Sequence, residues 1–361
     1  MPRFRSDIAA IGPYVPGRSI EQVAAEIGMS PDEIVKLASN ESPDGPFPGV
    51  VEAAARVLAG SNRYPDNDNR ELASALSNFL QIPIENLWFG NGSVSLLRDI
   101  AMAVGGPGTS SVYGWPSFVM YRIVSRWAMS EPIEVPLAAH VHDLDAMAEA
   151  IRPDTTVVYL CNPNNPTGTI VSSDALDRFI ESVPESVLVV VDEAYHDYVT
   201  DVSYATAIGH AVRRSNIVVL RTFSKVFALA SHRVGYAVAA AETITEMRKA
   251  QAPFGVTEVG QAAAVASLGN RAELDRRVRS NSAARHHVLG ALAERALAHT
   301  QSHANFVYLE LGFPATESCA RLADKGVIAR PMSGGWLRVT IGNEQENQRF
   351  LGALDDVLSE R

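Results

Sequence analysis

The chain has 361 residues, of which 47% are apolar and 20% are charged, so it is long enough for two domains with a sizeable buried core. Its net charge of −10 argues against a nucleic acid or an anionic membrane as partner, because both require clustered positive charge. Cys161 and Cys319 are too few for a disulfide framework or a metal cluster, and no apolar run has the length of a signal peptide or a membrane span, so a cytoplasmic location is expected.

Turns and short helices alternate in the first eighty residues. Residues 11–17 are rich in Gly and Pro and predict an irregular segment, and a second irregular segment covers residues 37–43. The tetrapeptide Arg63-Tyr64-Pro65-Asp66 also predicts a turn. Between these irregular segments the apolar spacing predicts helices over residues 20–27, 50–58 and 70–80.

A strand, a glycine turn and a helix follow one another from residue 87 to residue 101. The apolar run 87–89 predicts the strand, and Gly90-Asn91-Gly92-Ser93 predicts the turn before the helix. Exposed backbone N–H groups at Gly92 and Ser93, together with the positive end of the helix dipole, make an anion-binding site.

Three later apolar strands each end in polar residues. The run 157–160 leads to Asn165, the run 188–191 leads to Asp192 and Tyr195, and the run 217–220 leads to Lys225. Helices predicted between these strands imply a mostly parallel sheet with right-handed crossovers. Because ligands bind at the carboxyl edge of such sheets, these side chains are expected to converge.

Lys225 stands at the end of one strand, before a second apolar run over residues 234–239. Partial burial and the nearby guanidinium of Arg233 both favour the neutral amine, which is a nucleophile. Thr222, Ser224 and Arg233 are donor types that hold a phosphate. The plain alternative is an exposed surface lysine, which is the commoner fate of an isolated lysine.

The last third of the chain predicts a smaller α+β domain. Helices are expected over residues 242–250, 258–268 and 276–298, and strands over residues 305–309 and 336–340. Arg338 falls inside the second of these strands, where a buried guanidinium requires a partner, either a bound carboxylate or a structural ion pair. We predict an N-terminal segment over residues 1–45 that packs with the small domain, a large domain over residues 46–252, and a small domain over residues 253–361.

Three motifs, in their order and spacing, carry a resemblance to a known family. Asn-Asn-Pro-Thr-Gly ends at Gly168, Asp-Glu-Ala-Tyr ends at Tyr195, and Thr-Phe-Ser-Lys ends at Lys225, eight residues before Arg233. The chain resembles the pyridoxal-phosphate aminotransferases of fold type I, most closely histidinol-phosphate and small aromatic amino acid aminotransferases, from Tyr14 to Arg338. The resemblance implies an α/β fold type I transferase, with a large mostly parallel-sheet domain and a smaller α+β domain.

The resemblance also implies a role for each matching residue. Lys225 would form a Schiff base with pyridoxal 5'-phosphate and move the proton between the substrate's α-carbon and the cofactor. Asp192 would pair with the pyridine nitrogen, while Asn165 and Tyr195 would bind the ring hydroxyl and Phe118 would stack on the ring. The phosphate would be held by Gly92, Ser93, Thr222, Ser224, Arg233 and, across a homodimer interface, by Tyr64 of the second subunit. Substrate would be bound by Tyr14, Asn40, Arg330 and Arg338.

No metal site is predicted, because His140, His142, His196, His286 and His287 show no ligand spacing with cysteines or paired carboxylates. An amino-acid decarboxylase or lyase on the same fold is an alternative, since these enzymes and the aminotransferases share the residues that bind the cofactor. A non-enzymatic binding module fits Lys225 poorly, and a doubly wound nucleotide binder would need a Gly-x-Gly-x-x-Gly after a strand.

Two departures from the family pattern concern the substrate and the loop before Arg233. Histidinol-phosphate enzymes usually continue the glycine turn with an acidic pair, whereas this chain has Val94-Ser95. This favours an aromatic amino acid as donor and 2-oxoglutarate as keto-acid acceptor, with histidinol phosphate as the alternative. The second departure places Ala228, Ser231 and His232 where the family usually has glycines and a leucine, and a positive φ at Ala228 would store about 1 kcal/mol of strain.

Overall fold

The computed structural model describes residues 5–9, 11–12 and 17–360. These residues contain the helices α1 Ser6–Ala9, α2 Ile20–Ile27, α3 Val50–Leu58, α4 Arg70–Leu80, α5 Ser93–Val104, α6 Met120–Trp127, α7 Leu144–Glu149, α8 Ser173–Ser182, α9 Ile208–Arg213, α10 Ala241–Met247, α11 Glu258–Leu268, α12 Arg271–Glu294, α13 Ala315–Asp324 and α14 Glu344–Ser359. They also contain the strands β1 Val35–Lys36, β2 Leu87–Asn91, β3 Ser110–Trp115, β4 Glu131–Pro136, β5 Thr155–Cys161, β6 Leu188–Asp192, β7 Ile217–Thr222, β8 Val234–Ala239, β9 Phe306–Glu310, β10 Val327–Ile328, β11 Arg330–Pro331 and β12 Trp336–Thr340.

A seven-stranded sheet with the order β2-β8-β7-β6-β5-β3-β4 forms the large domain. Strand β8 runs antiparallel to both of its neighbours, and the pairs from β7 to β4 are parallel. This arrangement confirms the predicted mostly parallel α/β sheet. The parallel register brings the carboxyl ends of β5, β6 and β7 to the same edge.

Helices cover both faces of the large sheet, which explains why its central strands are continuous apolar runs instead of alternating patterns. Val189 and Val191 of β6 point into one core, which also contains residues of α3, α4, α8 and α11. Val190 points into the opposite core with residues of α5, α6 and α10. Alternate side chains of one strand therefore support two layers of helices.

Several helices begin at residues whose side chains cap the first turn. Ser172 accepts a hydrogen bond from the backbone N–H of Ala175 at the start of α8, and Thr257 accepts one from Gly260 at the start of α11. Asn270 does the same for α12, which explains why that helix begins at Arg271, five residues before the predicted start. Helix α12 ends at Glu294, before the predicted residue 298, because Ala296 takes a left-handed φ of 53°.

The C-terminal part contains a three-stranded antiparallel sheet, β11-β12-β9, packed on α12 and α14. Strand β1, from the N-terminal part of the chain, pairs in parallel with β10, so Val35 lies opposite Val327. Helix α11, in contrast, shares the core of α3 and α4 in the large domain. The domain limits at residues 45 and 252 stay predictions. No helix in the described ranges is long and apolar enough to cross a lipid bilayer.

Candidate active site

One cavity of about 280 Å³ lies at the carboxyl edge of the large sheet. The strand ends of β5, β6 and β7 reach it, and β11 and β12 of the smaller sheet close its other side. Its walls include the following residues singled out from the sequence: Asn40, Ser93, Phe118, Asn165, Asp192, Tyr195, Thr222, Ser224, Lys225, Arg233, Arg330 and Arg338. Side chains from positions 40 to 338 thus meet around one space.

Lys225 lies half-buried in this cavity. Its Nζ atom donates to the backbone carbonyls of Ser39 at 3.4 Å and Asn40 at 3.2 Å, and it lies 5.5 Å from the ring centre of Tyr195. Burial lowers the pKa of Lys225 from 10.5 to about 8, and the positive charge of Arg338 adds to this effect. The expected contribution of Arg233 is present but weaker than that of Arg338. The amine therefore loses its proton, and becomes nucleophilic, at a pH well below that of an exposed lysine.

Asp192 lies at the end of β6 with 2% of its surface exposed. Its Oδ2 atom accepts a hydrogen bond from the hydroxyl of Tyr121 at 2.9 Å, and its Oδ1 atom accepts one from the backbone N–H of Ala194 at 3.1 Å. Burial raises the pKa of Asp192 to about 6, and both hydrogen bonds oppose that rise. A buried carboxylate of this kind can hold a cationic nitrogen in place.

Tyr195 and Asn40 contact each other across the cavity wall. The side-chain amide of Asn40 donates to the Tyr195 hydroxyl at 2.9 Å, and both residues are buried. Burial raises the pKa of Tyr195 above its ordinary value, while the charge of Arg338 and the hydrogen bond from Asn40 oppose the rise. Tyr195 therefore remains a neutral hydroxyl that can donate to a ligand atom in the cavity.

A group of hydrogen-bond donors lines the opposite end of the cavity. Ser93 begins α5, the Thr222 hydroxyl donates to the Ser224 hydroxyl at 2.9 Å, and Arg233 donates to the same Ser224 oxygen at 3.3 Å. A Cβ atom at Gly92, which has a φ of 73°, would clash with the guanidinium of Arg233. Only a glycine allows the turn to lie this close to the arginine, so the helix N-terminus and the cation face one space.

Arg330 and Arg338 are direct cross-strand partners on β11 and β12. Arg338 donates to the side-chain oxygen of Asn165 at 2.5 Å and to the backbone carbonyl of Ala38 at 2.8 Å. The antiparallel register therefore places two guanidinium groups side by side at the cavity, which their separate positions in the sequence did not indicate.

Three predicted residues are not among those that line the described part of the cavity, and one of them, Gly92, stands directly behind Arg233. Tyr64 is 82% exposed and stacks on Phe254, with the ring centres 4.7 Å apart. Its position on the surface leaves the predicted contact with a second subunit untested. Tyr14 falls in the stretch 13–16, outside the described residues.

The loop between Lys225 and Arg233 contains an alanine with a positive φ, the source of backbone strain that its sequence suggested. Ala228 takes a φ of 56° and Arg233 a φ of 54°, both in the left-handed region. The backbone N–H of Ala228 donates to the carbonyl of Lys225 at 2.9 Å, which closes a tight turn directly after the lysine. An alanine thus stands where a glycine would be free of strain.

Two features beside the cavity were not predicted from the sequence. Tyr121 lies three residues after Phe118 at the start of α6, and its hydroxyl reaches Asp192. Glu193 forms a buried ion pair with Arg221 at 2.7 Å behind the strand ends. The only signal was the charged character of Glu193 and Arg221 at the ends of apolar strands, where burial requires a partner. In the described ranges, no three His, Cys, Asp or Glu side chains are grouped to hold a metal ion.

Comparison with known proteins identifies the class. The model of the family "Aminotransferase class I and II" matches residues 32–354, and the chain belongs to this family. The chain is therefore an aminotransferase.

Two groups of relatives are similar over nearly the full chain. An aromatic amino acid aminotransferase of Streptomyces avermitilis is 40% identical over 351 residues, which cover 97% of this chain and 96% of that protein. A histidinol-phosphate aminotransferase of Moorella thermoacetica is also 40% identical, over 99% of this chain and 94% of that protein. The crystal structure of histidinol-phosphate aminotransferase from Sinorhizobium meliloti in complex with pyridoxal-5'-phosphate has a TM-score of 0.91 and 26% identity, and the match covers 100% of this chain and 98% of that one.

These comparisons confirm the predicted family, fold class and enzyme class. The predicted cofactor agrees with the one bound to the Sinorhizobium protein. The two kinds of relative are named for the two substrates between which the sequence did not decide, an aromatic amino acid and histidinol phosphate.

Proposed function

We propose that this protein is a pyridoxal-phosphate-dependent aminotransferase that transfers the amino group of an aromatic amino acid to 2-oxoglutarate. The observation that carries the proposal is that Lys225 lines one cavity with a buried carboxylate, Asp192, and with the phosphate-type donors around Ser93 and Arg233. Its pKa of about 8 supplies the neutral amine that attachment of an aldehyde requires.

The residues present fit this cofactor. The close approach of Gly92 to Arg233 leaves a cradle bordered by backbone N–H groups, hydroxyls and a guanidinium, which suits a phosphate dianion. At the other end, Asp192 is an anion with two hydrogen-bond donors already in place, which suits a protonated ring nitrogen. Phe118 offers an aromatic face between the two ends.

When bound, pyridoxal phosphate supplies an electron-withdrawing ring that stabilises negative charge at the α-carbon of the substrate. Asp192 keeps the ring nitrogen protonated, which increases this stabilisation. Lys225 first anchors the cofactor and then acts as the base that takes the proton from the α-carbon. Tyr195 and Asn165 direct polar atoms toward the ring hydroxyl and set the orientation of the ring.

Arg338 binds the substrate carboxylate in this proposal. Its planar guanidinium can form two parallel hydrogen bonds with a carboxylate. It also donates to the side-chain oxygen of Asn165 and to the backbone carbonyl of Ala38 at the cavity wall. Arg330 is the cross-strand partner of Arg338 and lines the same cavity, so it would face the far end of the substrate. Asn40 lines the same cavity, donates from its side-chain amide to Tyr195, and accepts from Lys225 at its backbone carbonyl.

A homodimer with shared active sites is part of the proposal. Tyr64 and Phe254 form a stacked and exposed aromatic pair, and such pairs are enriched in protein interfaces. In the dimer, the Tyr64 hydroxyl would reach the phosphate of the other subunit. A cytoplasmic location is supported by two cysteines that are both free thiols.

The deciding measurement is kcat/KM for phenylalanine and for histidinol phosphate, each with 2-oxoglutarate. We expect a clear preference for phenylalanine, with tyrosine and tryptophan within about a few kcal/mol of it in transition-state binding, because an apolar pocket discriminates mainly by shape. A preference for histidinol phosphate would reverse the substrate assignment and leave the cofactor chemistry intact.

A half-reaction tests the reaction type. An amino acid alone should convert the bound cofactor to its amine form, and a keto acid alone should restore the aldehyde form. Release of carbon dioxide without this cycle would indicate a decarboxylase. Arg338→Lys serves as a substrate control, since it keeps the charge and loses the planar fork, and it should raise KM for the amino acid while cofactor binding is retained.

A further inference from the structure

A tyrosine hydroxyl is directed at the carboxylate assigned to the cofactor nitrogen, and the proposed mechanism gives it no role. Tyr121 donates from its hydroxyl to Oδ2 of Asp192 at 2.9 Å, and the two side chains are 0% and 2% exposed. The backbone N–H of Ala194 donates to the other oxygen of Asp192. Two donors from different parts of the fold thus fix the plane of the carboxylate.

The ring of Tyr121 is held by aromatic contacts on several sides. It stacks on Tyr159 with the ring centres 5.1 Å apart and the planes 5° from parallel, and it meets Phe118 edge-on at 5.8 Å. Tyr113 lies 5.9 Å away. The hydroxyl cannot leave Asp192 without loss of these contacts, so its direction is set by the packing of α6.

The hydrogen bond keeps its direction because Tyr121 stays a protonated phenol that donates and Asp192 accepts. Burial raises the pKa of Tyr121 well above its ordinary value, with the negative charge of Asp192 as a further cause, so the phenol remains a donor. Burial raises the pKa of Asp192 to about 6, and the Tyr121 hydrogen bond opposes it. The other ionisable groups that act on or respond to Asp192 are Glu193, Lys225, Cys161 and Tyr195.

Among these groups, Lys225 favours the charged carboxylate and Glu193 disfavours it. Lys225 itself loses its positive charge around pH 8, so its stabilisation of the Asp192 carboxylate weakens as the pH rises. The Tyr121 hydroxyl does not titrate in this range and is the side-chain donor that supports the carboxylate at every pH of interest.

We propose that Tyr121 is a positioning residue, which holds the Asp192 carboxylate ionised and aimed into the cavity for the ring nitrogen of the cofactor. The inference rests on the proposed function. The start of α6 would then have two roles toward the cofactor. Phe118, just before the helix, offers an aromatic face for the ring, and Tyr121 in its first turn orients the Asp192 carboxylate. A role in packing alone would need the ring of Tyr121 and not its hydroxyl.

Tyr121→Phe removes the hydroxyl and keeps the ring. The chain offers a matched control in Tyr159→Phe, because Tyr159 belongs to the same stacked pair and its buried hydroxyl has no hydrogen-bond partner in the part of the chain that the structure describes. Each variant is prepared free of cofactor, and the dissociation constant of pyridoxal phosphate is measured by absorbance titration from pH 5 to pH 9. The ionisations of the ligand are common to all variants, so differences between the curves report the protein.

We expect Tyr121→Phe to weaken cofactor binding about tenfold at neutral pH and to move the acid limb of the binding curve up by about one pH unit, because Asp192 loses a donor to its charged form. Tyr159→Phe should match the wild type in both respects. In an Asp192→Asn background, Tyr121→Phe should add no further shift of that limb, since no ionisable carboxylate remains there.

An acid limb for Tyr121→Phe that coincides with that of Tyr159→Phe would overturn the inference, even if both variants are less stable than the wild type. A shift of the limb that persists in the Asp192→Asn background would also overturn it. Failure of the wild type to bind pyridoxal phosphate would instead refute the proposed function, so the two failures are distinct.

Discussion

The buried ion pair behind the active site gives the sharpest prediction of stability. The Glu193 carboxylate accepts from Nε of Arg221 at 2.9 Å and from its Nη2 at 2.7 Å, and also from the Thr206 hydroxyl and the backbone N–H of Ala207, each at 2.7 Å. Glu193 is 1% exposed and Arg221 is 5% exposed. Glu193→Gln keeps the size of the side chain and removes its charge.

We expect Glu193→Gln to lower the free energy of unfolding by about 3–5 kcal/mol, because it leaves the Arg221 guanidinium buried without its counter-charge. The glutamine amide would also turn a donor toward groups that are themselves donors. The matched control is Glu246→Gln, which breaks the pair with Lys249 at 2.6 Å, where both side chains are 67% exposed. Exposed pairs of this kind contribute less than about 1 kcal/mol.

The pH dependence provides a second check on the same variant. Burial alone would raise the pKa of Glu193, but the charge of Arg221 and the hydrogen bonds from Ala207 and Thr206 outweigh it and bring the pKa below 4.5. The unfolded chain therefore binds this proton more readily than the folded protein. The stability that Glu193 contributes should be complete above pH 4.5 and should be lost as the pH falls through the lower folded pKa.

Urea unfolding followed by tryptophan fluorescence measures both effects, with cofactor-free proteins at one concentration. If Glu193→Gln lowers the free energy of unfolding no more than Glu246→Gln does, the buried ion pair does not stabilise the fold as its burial predicts. If the difference from wild type stays constant from pH 7 to pH 3, the charge of Glu193 is not the cause.

Four further predictions concern the active site. Borohydride trapping of pyridoxal phosphate on the cofactor-free protein should rise with pH around a midpoint near 8, the lowered pKa of Lys225, and a midpoint near 10.5 would contradict its burial. Asp192→Asn should fold normally and lower single-turnover rates roughly 100- to 1,000-fold, the size of effect seen when one preorganised hydrogen-bonding group of an active site is removed, so unchanged rates would rule out its role. Mixing the inactive variants Tyr64→Ala and Lys225→Ala should restore some activity in mixed dimers, whereas a fully active monomer in sedimentation and assay would argue against shared sites. Ala228→Gly should raise stability by up to about 1 kcal/mol in thermal unfolding, because it relieves a left-handed alanine, while Ala230→Gly, outside that region, should not, and a loss of stability in Ala228→Gly would show that the loop bears no such strain.

The sequence by itself predicted five of the seven strands of the large sheet and the residues at three of their ends. It did not predict β3, β4, α6 or α9. Apolar runs such as residues 188–191 are local signals, and each ended at the polar residue that the structure places in the cavity. Helix limits were predicted to within a few residues, except where a cap or a left-handed residue decided the end, as at Asn270 and Ala296. The motif around Lys225 identified the chemistry because its residue types and spacing are also local.

The tertiary structure alone decided how these residues pair. Tyr121 and Asp192 are 71 residues apart, Asn40 and Tyr195 are 155 apart, and the contact of Arg338 with Asn165 spans 173. Neither periodicity nor spacing predicts these contacts. The first depends on how α6 packs on the large sheet, and the other two depend on how the smaller sheet closes over the edge of the larger one. The pKa of Lys225 illustrates the reason: Arg233, eight residues away in sequence, affects it less than Arg338 does, since electrostatic effects follow distance in space and burial, not order along the chain.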